Sequence, residues 1–468
     1  MKRISCIAVL VLICSFSQSN VYGQDGQPDS LRLYSDVAKN IIETALSEGQ
    51  AYDMLVELAR DIGPRLSGST EAAAAVEWGR QTMLDYDLDN VHLQEIMVPR
   101  WVRGPVEQAE VINSPTVGTK SLAVCALGGS VGTSELGVVG QVIEVKNFEE
   151  VKALGPKAKG KLIFYNRPMG PRRVNTFAAY GGAVNQRSRG AIEAAKVGAV
   201  AALVRSMTTR LDRVPHTGAM HYAKNVAKIP AAAISTVDAN FLSDLLKRDE
   251  SVRVRLRLSC QTLPDVPSAN VIGEITGSEL PEEIIVLGGH LDSWDKGHGA
   301  HDDGAGCVQS IEALRLIKSL GLQPKRSIRA VLFMNEENGQ RGGKAYAQYA
   351  DQNGSKHIAA IESDRGGFTP RGFTVKAENE SFANIERLAH LFDPMAASRI
   401  IRGYGGVDID PLNKRFGIPV LGLLVDSHRY FDYHHSANDT IDKVNERELE
   451  LGAAAIAIMA YVLAMEGV

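Results

Sequence analysis

The hydrophobic and polar positions divide the chain into stretches of different period. Residues 31–46 and 51–62 carry apolar side chains at helical spacing. Residues 71–86 form an Ala-rich run of high helix propensity, with Thr70 placed to cap it. A turn-rich break, Gly63-Pro64-Arg65-Leu66-Ser67-Gly68-Ser69, separates these helices. Residues 91–98 alternate like a strand. From about residue 110 the pattern changes to short Val/Ile/Leu runs with Gly between them, at 138–145, 161–165, 200–204 and 229–234. One clear helix, 186–197, interrupts them. The run Val252-Arg253-Val254-Arg255-Leu256-Arg257-Leu258 alternates strictly and is the clearest strand signal in the chain. Its arginine face reads as solvated or paired.

Beyond Ser268 the apolar runs 284–287, 328–334, 358–361 and 420–425 alternate with helical segments at 307–320, 344–350 and 381–392. This order predicts an α/β fold, a mainly parallel mixed sheet with helices on both faces. A site in such a fold lies at the carboxyl ends of the strands. The stretch 451–465 is apolar and Ala-rich but shorter than the ~20 residues of a membrane span, so a buried terminal helix is expected and no stable span.

At the other end Lys2 and Arg3 precede an apolar stretch, 4–16, and small or polar residues lead to Gly23. This predicts a secretory signal peptide over 1–23 and a secreted or periplasmic protein. It holds Cys6 and Cys14. The other three cysteines, Cys125, Cys260 and Cys307, make no disulfide framework and are expected in the core. Charge changes the picture little. With 51 Lys and Arg against 55 Asp and Glu, the net charge of −4 predicts no nucleic-acid partner.

Five polar clusters carry candidate chemistry, and each follows or flanks an apolar run. They are Gly288-Gly289-His290-Leu291-Asp292, His301-Asp302-Asp303-Gly304, Asn335-Glu336-Glu337, Glu362-Ser363-Asp364 and His434-His435-Ser436. Singly, each has an ordinary explanation: a helix cap, a solvated turn, a packed histidine. In this order, two histidines and three carboxylates with one shared suit a pair of divalent ions. Mixed nitrogen and oxygen ligation favours zinc. A carboxylate beside a ligating one, as in Glu336-Glu337, suits a general base.

This ordered set resembles the di-zinc exopeptidases related to bacterial leucyl aminopeptidases and glutamate carboxypeptidase II. The likeness rests on the cluster after Gly289 through Trp294-Asp295, on Asp302-Asp303-Gly304, Asn335-Glu336-Glu337 and Glu362-Ser363-Asp364, and on Tyr430-Phe431 with His434-His435-Ser436. Gly63-Pro64-Arg65 with Gly68-Ser69 adds to it. The resemblance implies His290, Asp302, Glu337, Asp364 and His435 as ligands of two zinc ions, Asp302 bridging them. It implies Glu336 as general base and Asp292 as the residue that orients His290. His435 is preferred because the family's ligand precedes Ser or Thr and lies four before an acidic residue, here Asp439; His434 and Asp303 remain the alternatives. The resemblance further implies a zinc exopeptidase fold split by an inserted protease-associated domain. The parts would be 24–110, the insert 111–250, and 251–468 carrying the metal site. It implies a peptide substrate with a free N-terminus, notably a dipeptide, and a homodimer. A single-zinc glutaminyl cyclase-like acyltransferase, an amidase or deacetylase, and a silent receptor or scaffold on the same fold are the competing readings. His298 and His301 are expected to line the cleft without ligating; His92, His216, His221, His357 and His390 are expected at the surface or in packing.

Overall fold

The computed structural model describes residues 29–468, with side chains from Tyr34 onward. The predicted signal peptide lies outside the described residues. Two eight-stranded sheets organise the chain. The first runs, edge to edge, Asp89–Val102, Gln261–Ile275, Arg326–Phe333, Leu280–His290, Lys356–Glu362, Val420–Val425, Pro370–Lys376 and Arg399–Arg402. Its four central strands, Arg326–Phe333 to Val420–Val425, are parallel; their outer neighbours Gln261–Ile275 and Pro370–Lys376 run antiparallel to them. This is the mixed, centrally parallel sheet that the alternation of strands and helices predicts.

The burial of Leu280–His290 shows why the sheet needs cover on both faces. Its last eight residues are all buried, so neither face meets water. Arg341–Gln352 and Asp410–Phe416 cover one face, over Ile284 and Val286; the other, with Ile285 and Leu287, is covered by two mutually packed helices, Ala305–Ser319 and Glu446–Glu466. The second is the expected terminal helix. It is long and apolar enough to cross a membrane, but most of it is buried inside the fold.

The second sheet runs Gly118–Leu122, Glu107–Ser114, Arg253–Leu258, Val138–Val145, Leu162–Tyr165, Ala201–Arg205, Ala231–Ile234 and Val124–Ala126. All its strands lie between Glu107 and Leu258. Val254, Leu256 and Leu258 enter its core, while Arg255 pairs with Glu110 at 2.9 Å and Arg257 donates to Gln108 at 3.1 Å. The strict alternation thus separates a core face from a paired polar face.

A buried joint connects the sheets. Trp294, just past the His290 strand, packs edge-on to Trp101 in the second sheet's core, against Gly128, where a Cβ would collide with its ring. The Arg103 guanidinium binds Asp295 at 2.8 Å, Glu107 at 2.8 Å and the Ala126 carbonyl at 2.7 Å. Lys296 adds a 2.8 Å pair to Glu107.

Two local expectations change. Residues 51–62 are α-helical only over Ala51–Leu55 and continue as a π-helix over Val56–Ile62. The cap of Thr70–Asp85 is Ser69, not Thr70: Ser69 keeps an extended backbone and its Oγ accepts from Ala72 N at 3.0 Å, while Thr70 is already helical. Cys125, Cys260 and Cys307 are free and buried, as expected of core residues.

Candidate metal centre

The first sheet delivers three clusters to one place because its central strands share a direction. His290 ends one strand, Glu362 ends its neighbour, and Asn335-Glu336-Glu337 follow Phe333 on the other side. The parallel register puts all of them at the carboxyl edge. Asn335 adopts the left-handed backbone conformation, φ +75°, which turns the chain off the strand before Glu336 and Glu337.

His290 donates through Nδ1 to the Asp292 backbone carbonyl at 2.9 Å. A carbonyl only accepts, so the proton is on Nδ1 and the Nε2 lone pair faces outward. It meets Asp302 Oδ1 at 3.3 Å and Asp364 Oδ1 at 3.6 Å. On the other side, His435 Nε2 lies 3.0 Å from Glu337 Oε2 and 3.4 Å from Asp302 Oδ2. Asp302 therefore faces both histidines, one oxygen to each. Five of the predicted residues, His290, Asp302, Glu337, Asp364 and His435, converge here. Asp302 Oδ2 and Glu337 Oε1 are buried without a hydrogen-bond partner. Buried carboxylate oxygens without a hydrogen-bond partner, converging with two imidazoles, suit cations, and histidine with carboxylate is a donor set that fits zinc.

The alternatives are also placed. The His434 ring stacks on His435 with centroids 3.5 Å apart, and its Nε2 is 3.9 Å from Asp302 Oδ2, farther than that of His435. Asp303 points away: its carboxylate accepts from His290 N at 3.0 Å and Gly306 N at 3.1 Å, which fastens the strand end to the following helix. Asp292 touches His290 through its carbonyl rather than its carboxylate, which lies 3.9 Å from the ring. That carboxylate accepts instead from Asn335 N at 2.7 Å and Glu336 N at 2.9 Å. The expected carboxylate–imidazole contact is thus replaced by a carboxylate that holds the Glu336 loop, because the left-handed turn at Asn335 aims two N–H groups at it.

Electrostatics separates the groups. Burial pushes the Glu336 carboxyl up to about 8, and Asp364, Asp292 and Asp302 add to this against His290. Burial alone would lower His290, but Asp302 and Asp364 at its Nε2 hold it well above the ordinary imidazole value. His435 goes the other way, driven well down by burial and then by His434. Glu336 is only half-buried while Glu337 is buried, so the first faces the opening and the second the interior.

Several supporting residues carry no signal of chemistry in the sequence. Arg65, fully buried, donates to the carbonyls of Leu291, His298 and Gly299 at 2.6, 2.8 and 2.9 Å and ties the two ligand loops together. Asp439 accepts from His301 N at 2.8 Å and Asp302 N at 3.1 Å. Arg187 reaches in from the helix Asn185–Lys196, with Nη1 3.3 Å from His435 Nδ1. His216, expected at the surface or in packing, is buried against the same loop and donates through Nδ1 to the His434 carbonyl at 2.7 Å. An arginine inside a helix and a histidine in a loop have no periodic signature; the resemblance marks only Gly63-Pro64-Arg65 and Asp439 among these residues. His301 packs in one aromatic cluster with Phe368 and Tyr433 and is a packing residue.

Comparison with known proteins fits this geometry. Residues 270–460, which hold every proposed ligand, match peptidase family M28. Carboxypeptidase Q of Bos taurus is 38% identical over 439 residues, covering 93% of this chain and 90% of that protein. The crystal structure of a peptidase M28 precursor from Shewanella amazonensis superposes with a TM-score of 0.88 at 35% identity, over 94% of this chain and 98% of the other. A zinc aminopeptidase from Bacillus subtilis shares the fold, with a TM-score of 0.65 at 20% identity over 88% of this chain and 94% of its own. On these grounds the chain is an enzyme of peptidase family M28 and a homologue of the carboxypeptidase Q proteins.

Proposed function

We propose that this peptidase is a zinc-dependent exopeptidase that hydrolyses dipeptides and other short peptides with a free N-terminus, with two zinc ions per chain. The observation that carries this reading is the divergence of the two Asp302 oxygens toward two histidines, each with a further carboxylate: Asp364 beside His290, Glu337 beside His435. His290, Asp302 and Asp364 would hold one ion and His435, Asp302 and Glu337 the other. The ions would acidify an attacking water and polarise the scissile carbonyl. Glu336 takes the proton of that water and returns it to the leaving amine, a role that suits a half-buried carboxyl at the opening. Asp292 keeps Glu336 in place through the two backbone N–H groups. The Arg187 guanidinium, on the His435 side, binds the carboxylate of a short substrate and so favours peptides that end soon after the scissile bond.

Residues 111–250 are read as the inserted protease-associated domain, and residues 1–23 as the signal for export. Homodimerisation goes with the family resemblance.

The test is a panel of free, N-blocked and C-blocked dipeptides, with peptides beginning in Gln, assayed before chelation, after it, and after zinc is restored. Cleavage of free dipeptides that chelator abolishes and zinc restores is expected. Cyclisation of N-terminal Gln without hydrolysis would favour the acyltransferase alternative, and equal cleavage of N-blocked peptides would remove the requirement for a free amine.

A further inference from the structure

The backbone of His435 is left-handed, φ +59°, a conformation that a non-glycine residue holds only when its surroundings enforce it. The surroundings come from the other sheet's unit. Thr217 N donates to the His435 carbonyl at 2.9 Å, and His216 Nδ1 donates to the His434 carbonyl at 2.7 Å. Two successive carbonyls of the ligand loop are thus held by two successive residues of one distant segment. That segment is itself fixed. His216 N donates to Ser206 Oγ at 2.9 Å, and Thr217 Oγ1 donates to the Ala126 carbonyl at 2.8 Å. Gly218 follows at φ +128°, and a Cβ there would come within 2.6 Å of His435 Nδ1 and also strike Arg187. His216 and Thr217 are buried, so water does not compete for these bonds.

We propose that His216-Thr217-Gly218 is a positioning clamp that sets the affinity of the His435 half of the metal centre. This rests on the two-ion reading above. His290 needs no such clamp: it ends a central strand, and its own sheet fixes it. The two halves of the centre therefore differ in what holds them, and only one depends on the second unit. His216 and Thr217 act through the His434–His435 backbone and touch no substrate. Partners that orient metal ligands in this way set affinity by about 10–100-fold.

The experiment measures zinc per chain on the full-length protein, by elemental analysis at a series of buffered free-zinc concentrations. The proteins are the wild type, His216→Leu, His216→Asn and Gly218→Ala, and the thermal unfolding of each zinc-free form is recorded beside it. His216→Leu is expected to shift one of two occupancy steps to about 10–100-fold higher free zinc and leave the other in place. His216→Asn keeps an N–H for the His434 carbonyl and is expected to return most of the shift. Gly218→Ala presses on His435 from the same segment, is expected to move the same step, and supplies the reading where His216→Leu does not fold. Unchanged steps in both His216→Leu and Gly218→Ala would overturn the clamp. So would steps that move together, or a zinc-free form destabilised with its occupancy unchanged, since these mark a merely structural role. A wild type that binds fewer than two ions would instead sink the two-ion reading on which the clamp stands.

Discussion

The two sheets serve the candidate centre in different ways. The first contributes side chains whose chemistry is visible in their type: histidine, aspartate and glutamate at the ends of parallel strands. The second contributes the Arg187 guanidinium, the His216 imidazole N–H and the Thr217 backbone N–H. The first unit thus supplies the proposed ligands and the proposed base, and the second supplies restraint and, through Arg187, the proposed contact for a substrate carboxylate. A ligand set is therefore only half of a site. The same residues without the loop geometry imposed from across the joint would have the right composition and the wrong preorganisation.

The largest effect should come from the first sheet. Glu336→Gln removes the proposed proton acceptor and none of the proposed ligands, so turnover of a free dipeptide is expected to fall by about 10²–10⁴-fold with zinc content unchanged. Near-normal turnover would remove Glu336 as the base. The joint comes next. Asp295→Ala leaves Arg103 buried with less compensation, and unfolding stability measured by denaturant is expected to fall by about 3 kcal/mol. A loss below ~0.5 kcal/mol would mean that Glu107 and the Ala126 carbonyl suffice, and that the sheets meet mainly through Trp294. The second sheet's own contribution follows. Arg187→Leu is expected to raise KM for free dipeptides by about 10–100-fold while kcat changes little, since a hydrogen bond to a charged group is worth about 1.5–3 kcal/mol. An unchanged KM would return the second unit to a purely positioning role.

The smallest effect tests whether burying an acid is enough to make a site. Glu450 is a buried carboxylate on the terminal helix, and one of its oxygens has no partner. Burial, then Glu312, push its pKa up to about 8. The folded state therefore keeps a proton that the unfolded chain releases. The stability this group contributes is present below the ordinary carboxylate range and is lost as pH rises toward 8. Glu450→Gln is expected to unfold at a higher temperature than wild type at pH 8, by about 1 kcal/mol or more, and to match it near pH 4. Zinc content and turnover should not change. A pH-independent difference would show that packing, not ionisation, governs this position.

How legible the molecule is from its sequence depends on the kind of residue. The Leu280–His290 strand and the Glu446–Glu466 helix can be read because continuous burial leaves a continuous apolar run. Gln261–Ile275 cannot: Pro264, Pro267 and exposed polar residues give its first half the look of a loop, and its pairing with Asp89–Val102 supplies what local preference withholds. Ser69 and Thr70 are both cap formers, and only the backbone angle at the helix start chooses between them. Among histidines, residue type says nothing about His216 against His290. One is known by the strand it ends, the other by a carbonyl more than two hundred positions away.

The sequence alone determined the α/β class, the order of the chemical clusters and the residue types available to a metal centre, because period and side-chain chemistry are local properties. The tertiary structure decided what those residues do. It gave one oxygen of Asp302 to each histidine, turned the Asp292 carboxylate from the imidazole to the Glu336 loop, and brought Thr217 and His216 onto the backbone of the last ligand. These are relations between groups far apart in the chain. They are set by packing and by the pairing of buried backbone groups, which no local pattern encodes.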